Sequence, residues 1–180
     1  HPAKELKKVQ KTFISICKFP VHDSAMAYRE GISIKDNAEL HKSNNYLLKM
    51  DFENFFNSIT PILFWDVWKQ HFNEPSILEK KIIESIVFWA PNILERDKLV
   101  LSVGAPSSPE ISNFCLYKFD TIIKNYCSKN NITYTRYADD ITFSSSIPKQ
   151  LSNIPNIVRN TLQSIYKKRI DINNQKTIFS

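Results

Sequence analysis

Asp139 and Asp140 stand side by side between two runs rich in β-branched and aromatic residues, Ile132 to Tyr137 and Ile141 to Ser144. Asp is depleted in strands and adjacent like charges repel, so the pair belongs at the turn of a hairpin, where Asp is favoured. A third acid, Asp51, closes the short apolar run Tyr46-Leu-Leu-Lys-Met-Asp51, which reads as a buried strand. If these strands are neighbours in one sheet, the three carboxylates converge. Clustered carboxylates neutralise through raised pKa values unless cations offset them. Mg²⁺, hard and oxygen-seeking, is the natural counter-charge. Two such ions support phosphoryl transfer, one activating an attacking hydroxyl and the other steadying the leaving phosphates. Taken alone, an Asp-Asp pair is ordinary turn chemistry, so the rest of the chain decides between the readings.

The elements that must position these acids follow from capping and periodicity. Leu6, Val9, Phe13 and Cys17 recur at helical spacing after Pro2. Ser33-Ile-Lys-Asp36 resembles a capping box, opening a helix to about Asn44. Thr60-Pro61 predicts a helix to about Phe72, and a further amphipathic helix spans Ser76 to Trp89. Leu99 to Val103 is strand-like. Ser108-Pro109 starts a long helix through about Lys129, and Pro155 to Arg169 is helical. Ile170 to Ile172 and Thr177 to Phe179 are short strands. The order predicts an α+β domain, a small sheet covered by helices on one side.

Composition narrows the class further. Hydrophobic residues make up 42% of the 180 and aromatics 12%, enough for a real core and too polar for a membrane protein. No run approaches the ~18 apolar residues of a membrane-spanning helix, and no signal peptide opens the chain, so no membrane partner is expected. Cys17, Cys115 and Cys127 form no metal-binding spacing, which fits a reducing, cytoplasmic setting. The net charge of +6 is compatible with a polyanionic partner without requiring one. Only two glycines occur, Gly31 and Gly104, so each is expected where the backbone turns or approaches something closely.

Several segments together resemble the reverse transcriptases. Tyr137-Ala-Asp-Asp140 matches their Tyr-x-Asp-Asp signature, and Leu48-Lys-Met-Asp-Phe-Glu-Asn-Phe-Phe-Asn-Ser-Ile59 matches the segment carrying their first catalytic aspartate. Gly104-Ala-Pro-Ser-Ser-Pro-Glu-Ile-Ser-Asn113 matches a segment of the bacterial branch, in the same order and at similar separations. Asn37-Ala-Glu-Leu-His41 fits the Asn-Ala-x-x-His box of retron enzymes, and His1 to Gln10 looks like their finger segment. The resemblance implies a right-hand polymerase palm, a small antiparallel sheet backed by helices, with part of the helical fingers and no thumb. The expected segmentation is 1–26 partial fingers, 27–59 palm with the first catalytic Asp, 60–99 finger helices and 100–180 palm with the hairpin.

Roles carried over by resemblance are these. Asp51, Asp139 and Asp140 are catalytic, and with the Phe52 carbonyl they hold two Mg²⁺ ions, for which Mn²⁺ can substitute. Phe56 excludes a 2′-hydroxyl from the incoming deoxynucleotide, while Gly104, Ala105, Tyr137 and Lys176 contact that nucleotide. Asn37, Ala38 and His41 are expected to contact RNA, or merely to pack as ordinary helix. Implied partners are a structured non-coding RNA with its RNA–DNA product, deoxynucleoside triphosphates and an effector protein. The implied activity is RNA-directed DNA synthesis yielding a branched RNA–DNA molecule (msDNA) in anti-phage defence. The alternatives are a group II intron-like or other bacterial reverse transcriptase, or an idle RNA-binding scaffold. Val103 and Ile32 depart from the Gln and Arg frequent in relatives. Residues that clamp the triphosphate are expected before His1 and a thumb after Ser180, so the piece alone is expected to lack processive synthesis.

Overall fold

The computed structural model describes residues 2–92 and 94–180. His1, at the head of the expected finger segment, and Ile93 lie outside them. The elements in order are α1 (Lys4–Cys17), α2 (Ile34–Glu39), β1 (Tyr46–Asp51), α3 (Phe55–Ser58), α4 (Pro61–Trp68), α5 (Ile77–Val87), β2 (Phe88–Trp89), β3 (Val100–Leu101), α6 (Ser108–Cys115), α7 (Tyr117–Lys129), β4 (Thr133–Tyr137), β5 (Asp140–Ser145), α8 (Ile154–Tyr166), a 3₁₀ turn (Asn174–Lys176) and β6 (Ile178–Phe179). They form two units, each from separated segments: 1–20 with 54–115, and 21–53 with 116–180.

In the first unit the helix starts obey their capping residues. Thr60 Oγ1 accepts from the Leu63 N–H with Pro61 in the first turn, and Ser76 with Glu79 forms a reciprocal capping box at α5. The core is aromatic. Phe19 touches the rings of Phe13, Phe64, Trp68, Phe72 and Phe114, at centroid distances from 4.7 to 6.1 Å. Such edge-on and tilted pairs add about 0.5–1.5 kcal/mol each beyond the area they bury. The Leu101 N–H donates to the Ile59 carbonyl at 3.1 Å, so the end of α3 is tied to β3.

The second unit holds the sheet expected from the sequence, antiparallel and ordered β4-β5-β1-β6. Its period-2 alternation separates two faces. Leu48, Met50, Tyr134, Ile141 and Phe143 face the core with Phe119, Ile123, Val158 and Leu162 of α7 and α8, and all are buried. The opposite face carries Leu47, Lys49, Asp51, Asp140, Thr142 and Tyr137, set by the register Asp51↔Asp140, Lys49↔Thr142 and Tyr137↔Asp140. The chemistry sits on that second face.

Four elements differ from expectation. The helix expected through Trp89 ends at Val87, where Phe88–Trp89 pair with β3 as strand β2. The long helix after Ser108 is two, because Leu116 (φ −93°, ψ 1°) leaves the helical region between Cys115 and Tyr117. The helix capped by Ser33 and Asp36 ends at Glu39, and the chain then turns so that Asn44 N–H donates back to His41. Ile170 to Ile172 is no strand but a single bridge, Ile172 to Phe52, since Asp171 and Asn173 spend their hydrogen bonds on the residues around Asp51. Among the described residues no helix is long and apolar enough to cross a membrane.

Candidate active site

The β4–β5 hairpin turns on two residues, Ala138 and Asp139, between the paired Tyr137 and Asp140. Ala138 has φ +58°, a left-handed conformation that costs a residue with a Cβ about 1–2 kcal/mol. Its carbonyl is gripped from below: Arg136 Nη1 donates to it at 3.0 Å. Arg136 is itself fully buried and forks onto Asp120 of α7, with Nη2 to Oδ2 at 2.7 Å and Nε to Oδ1 at 3.0 Å. The Tyr134 hydroxyl donates to the same carboxylate at 2.7 Å. A buried guanidinium thus holds the turn that presents Asp139.

Across the sheet, Asp51 is the register partner of Asp140, and the Phe52 N–H donates to the Asp139 carbonyl at 3.0 Å. Directly opposed residues of an antiparallel pair lie ~4.5–5.5 Å apart at Cα. Asp51 and Phe52 are buried, Asp139 half-buried and Asp140 exposed. Burial first, then the charges of Asp139 and Asp51, push the Asp140 carboxyl above its usual range. The two neighbouring carboxylates add to burial in that direction, as clustered anions do. One cation is already there. Lys176 Nζ lies 3.1 Å from both oxygens of Asp51, and this contact raises the lysine pKa. Among the described residues no set of three His, Cys, Asp or Glu side chains is prearranged as a metal cage. The donor chemistry nevertheless fits Mg²⁺: hard carboxylate oxygens with a marked appetite for positive charge.

On the same face, Asn37, Ala38 and His41 line a cavity with Lys49, Tyr137 and Asp140. His41 is buried, its ring nitrogens 2.7 Å from Ser144 Oγ and 2.8 Å from Thr135 Oγ1. It therefore pins the segment after α2 to both strands of the hairpin. Asn44 adds bonds to Thr133 and Ser144. Burial, with Lys124 and Lys49 nearby, pushes the His41 pKa down to about 4. Since the unfolded chain takes up that proton near pH ~6.5, acidification favours unfolding across the window from about 6.5 to 4. We expect the melting temperature to fall through this window by more in the parent than in His41→Gln. Parallel curves for the two would remove His41 as the cause.

Phe56, Gly104 and Ala105 belong to the first unit, the acids and Lys176 to the second. Phe55 is buried while its neighbour Phe56, with ring centroids 5.2 Å apart, stays half-exposed. Gly104 has φ +83°, a conformation that explains why glycine stands there. Gly31 likewise has φ +75°. Sequence reasoning missed the Arg136–Asp120–Tyr134 cluster, Lys42 and Lys49 beside the cavity, and the Lys176–Asp51 contact. Arg136 carried a signal: a charge at a core-facing strand position must find a buried partner.

A profile of the family described as reverse transcriptase (RNA-dependent DNA polymerase) matches residues 1–180. Over 181 aligned residues the chain is 41% identical to the retron Ec83 reverse transcriptase of Escherichia coli, covering 99% of the chain and 58% of that protein. It is 30% identical to the Escherichia coli retron Ec73 enzyme, with 92% of the chain and 54% of the relative covered. To the Myxococcus xanthus retron Mx162 enzyme it is 32% identical, covering 83% and 33%. The chain thus spans little more than half, or less, of these relatives. Among solved structures, telomerase from Candida albicans shares the fold with a TM-score of 0.59 at 11% identity, over 98% of this chain and 34% of that one. Apo telomerase from Candida tropicalis gives 0.55 at 13%, over 98% and 36%. With its Tyr-Ala-Asp-Asp turn set against Asp51 on a four-stranded antiparallel sheet, the chain belongs to the reverse transcriptase family, and its relatives there are retron enzymes.

Proposed function

We propose that this chain is the catalytic core of a retron-type RNA-directed DNA polymerase. The observation that carries the reading is the register pair Asp51–Asp140 with Asp139 in the adjoining turn. The reaction is attack of a primer hydroxyl on the α-phosphate of a deoxynucleoside triphosphate, with release of pyrophosphate. Divalent ions held by Asp51, the Phe52 carbonyl, Asp139 and Asp140 would supply hydroxyl activation and charge neutralisation at the leaving group. The residues themselves do the positioning, which dominates phosphoryl-transfer catalysis. The hydrogen bond from Phe52 N–H to the Asp139 carbonyl fixes the two strand ends against each other, and Arg136 fixes the turn. Lys176 neutralises Asp51 and, released from it, stands ready for a phosphate oxygen.

The second unit is assigned to the palm and the first to the fingers, which moves 54–59 and 100–115 out of the expected palm and 21–26 into it. The template and primer are a structured RNA, the product a branched RNA–DNA molecule, and a role in phage defence with an effector protein follows from kinship with retron enzymes. The test is extension of a primer on an RNA template by the intact protein, with Mg²⁺ or Mn²⁺ and deoxynucleotides. Absence of templated product with both ions would end the proposal.

Phe56 is assigned the sugar gate. In Phe56→Ala we expect ribonucleotide incorporation to rise by tenfold or more, with deoxynucleotide use partly kept; ~1.4 kcal/mol of lost exclusion suffices for that factor. Unchanged rejection of ribonucleotides would assign the gate elsewhere.

A further inference from the structure

Tyr28 adopts φ +61°, in the left-handed region that bulky residues with a Cβ avoid. Packing does not account for it: the residue is 53% exposed, while its neighbours Met26 and Ala27 are buried. The segment leading to it is nevertheless fixed. Arg136 N–H donates to the Ser24 carbonyl and Met26 N–H to the Arg136 carbonyl, each at 2.7 Å, so 24–26 lines the outer edge of β4. Arg29 closes the loop behind it, with Nη1 donating to the Asp23 carbonyl at 3.2 Å. A strained, exposed aromatic on a braced support points to a use beyond folding.

The pairing also says where the ring arrives. The bridge between Ala25 and Arg136 is parallel, so three residues further along each chain Tyr28 stands level with Asp139. Burial first, then the charges at Asp139 and Tyr137, raise the tyrosine pKa, so the hydroxyl keeps its proton. Among the described residues that hydroxyl has no hydrogen-bond partner. A phenol both donates and accepts, and the 2′-hydroxyl of RNA does the same. Lys176 reaches Asp51 beside β6, whereas Tyr28 follows the segment beyond β4, at the far edge of the same sheet. In an in-line displacement the leaving phosphates and the attacking oxygen lie on opposite sides of the reacting phosphorus. The lysine flank suits the phosphates, so the flank of Tyr28 takes the duplex already made. In an A-form RNA–DNA duplex the shallow minor groove exposes 2′-hydroxyls from the RNA strand alone. We propose that Tyr28 reads the template sugar, its phenol hydroxyl sharing a hydrogen bond with the 2′-hydroxyl of a template ribonucleotide paired just behind the reacting end. This rests on the polymerase reading above and adds a residue that tells an RNA template from a DNA one.

The test measures equilibrium binding of RNA–DNA hybrids to the intact protein, without metal or deoxynucleotides. One template ribose at a time, counted back from the DNA 3′ end, is replaced by deoxyribose. We expect the parent to lose about three- to tenfold in affinity at one position and little at the others, which is the worth of a single hydrogen bond. Tyr28→Phe keeps the ring and the backbone, so its melting temperature should match the parent's while that position becomes silent. A tyrosine serving structure alone would leave the sugar dependence untouched by this change. Uniform binding by the parent, or an undiminished loss at the same position in Tyr28→Phe, overturns the proposal. Because nothing is polymerised in this assay, failure of primer extension would count against the activity and leave the result for Tyr28 standing.

Discussion

Asp139→Asn is expected to lower primer extension by about a thousandfold or more while leaving the fold as stable as before, or more so. Charge stabilisation by clustered carboxylates and their ions supplies several kcal/mol to phosphoryl transfer, and each ~1.4 kcal/mol lost is tenfold in rate. Stability moves the other way. Among the described residues no hydrogen bond is made by the Asp139 side chain; its backbone carbonyl accepts from Phe52, and asparagine keeps that carbonyl. Its charge also raises the neighbouring Asp140 pKa, so removing it relieves repulsion. Thermal melting and single-turnover extension on the same preparations check both halves. A variant within tenfold of the parent would exclude Asp139 from the chemistry.

The largest structural effect is expected from Asp120. Asp120→Leu strands the guanidinium of Arg136 in a fully buried position, a situation that costs about 3–5 kcal/mol. For a chain of this length that is a fall in melting temperature of ~10 °C. Replacing the set together, with Asp120→Leu, Arg136→Met and Tyr134→Phe, should recover much of the stability, because hydrocarbon often substitutes for a buried ion pair without loss. Activity should not recover with it. The carbonyl of Ala138 would lack its donor, and a residue at φ +58° would lose the contact that keeps it there. Full activity in the restored triple variant would show that the cluster serves stability alone.

Much of this was legible because local signals agreed with tertiary need. Thr60-Pro61, the Ser33–Asp36 box and the alternation around Asp139 and Asp140 are short-range features, and each formed as its residues dictate. The break at Leu116 had no local mark: no glycine or proline stands there, and the chain passes between the two units at that point. Likewise Ile172 looked like a strand residue, but its own neighbours Asp171 and Asn173 hold the end of β1 through loop hydrogen bonds, leaving Ile172 a single bridge to Phe52. At the site, the acids were visible as an unfavourable choice that function must justify. Lys176 on Asp51 depends on a contact between distant segments, which spacing alone does not encode.

Strand β1 lies between β5 and β6, both encoded far downstream of it. At a synthesis rate of about 5–20 residues per second, β1 leaves the ribosome several seconds before either neighbour exists. Through that interval its hydrogen-bonding edges are open and Leu48 and Met50 are uncovered, the conditions under which strands pair with other chains. Long-range pairing of this kind also folds slowly once the chain is complete. On that face of the waiting strand Lys49 and Asp51 put charge beside Leu47, and charged residues of that kind act as gatekeepers against aggregation. The acid assigned above to catalysis would thus have a second use in the nascent strand, and a neutral variant at Asp51 is expected to aggregate more during synthesis as well as to lose activity.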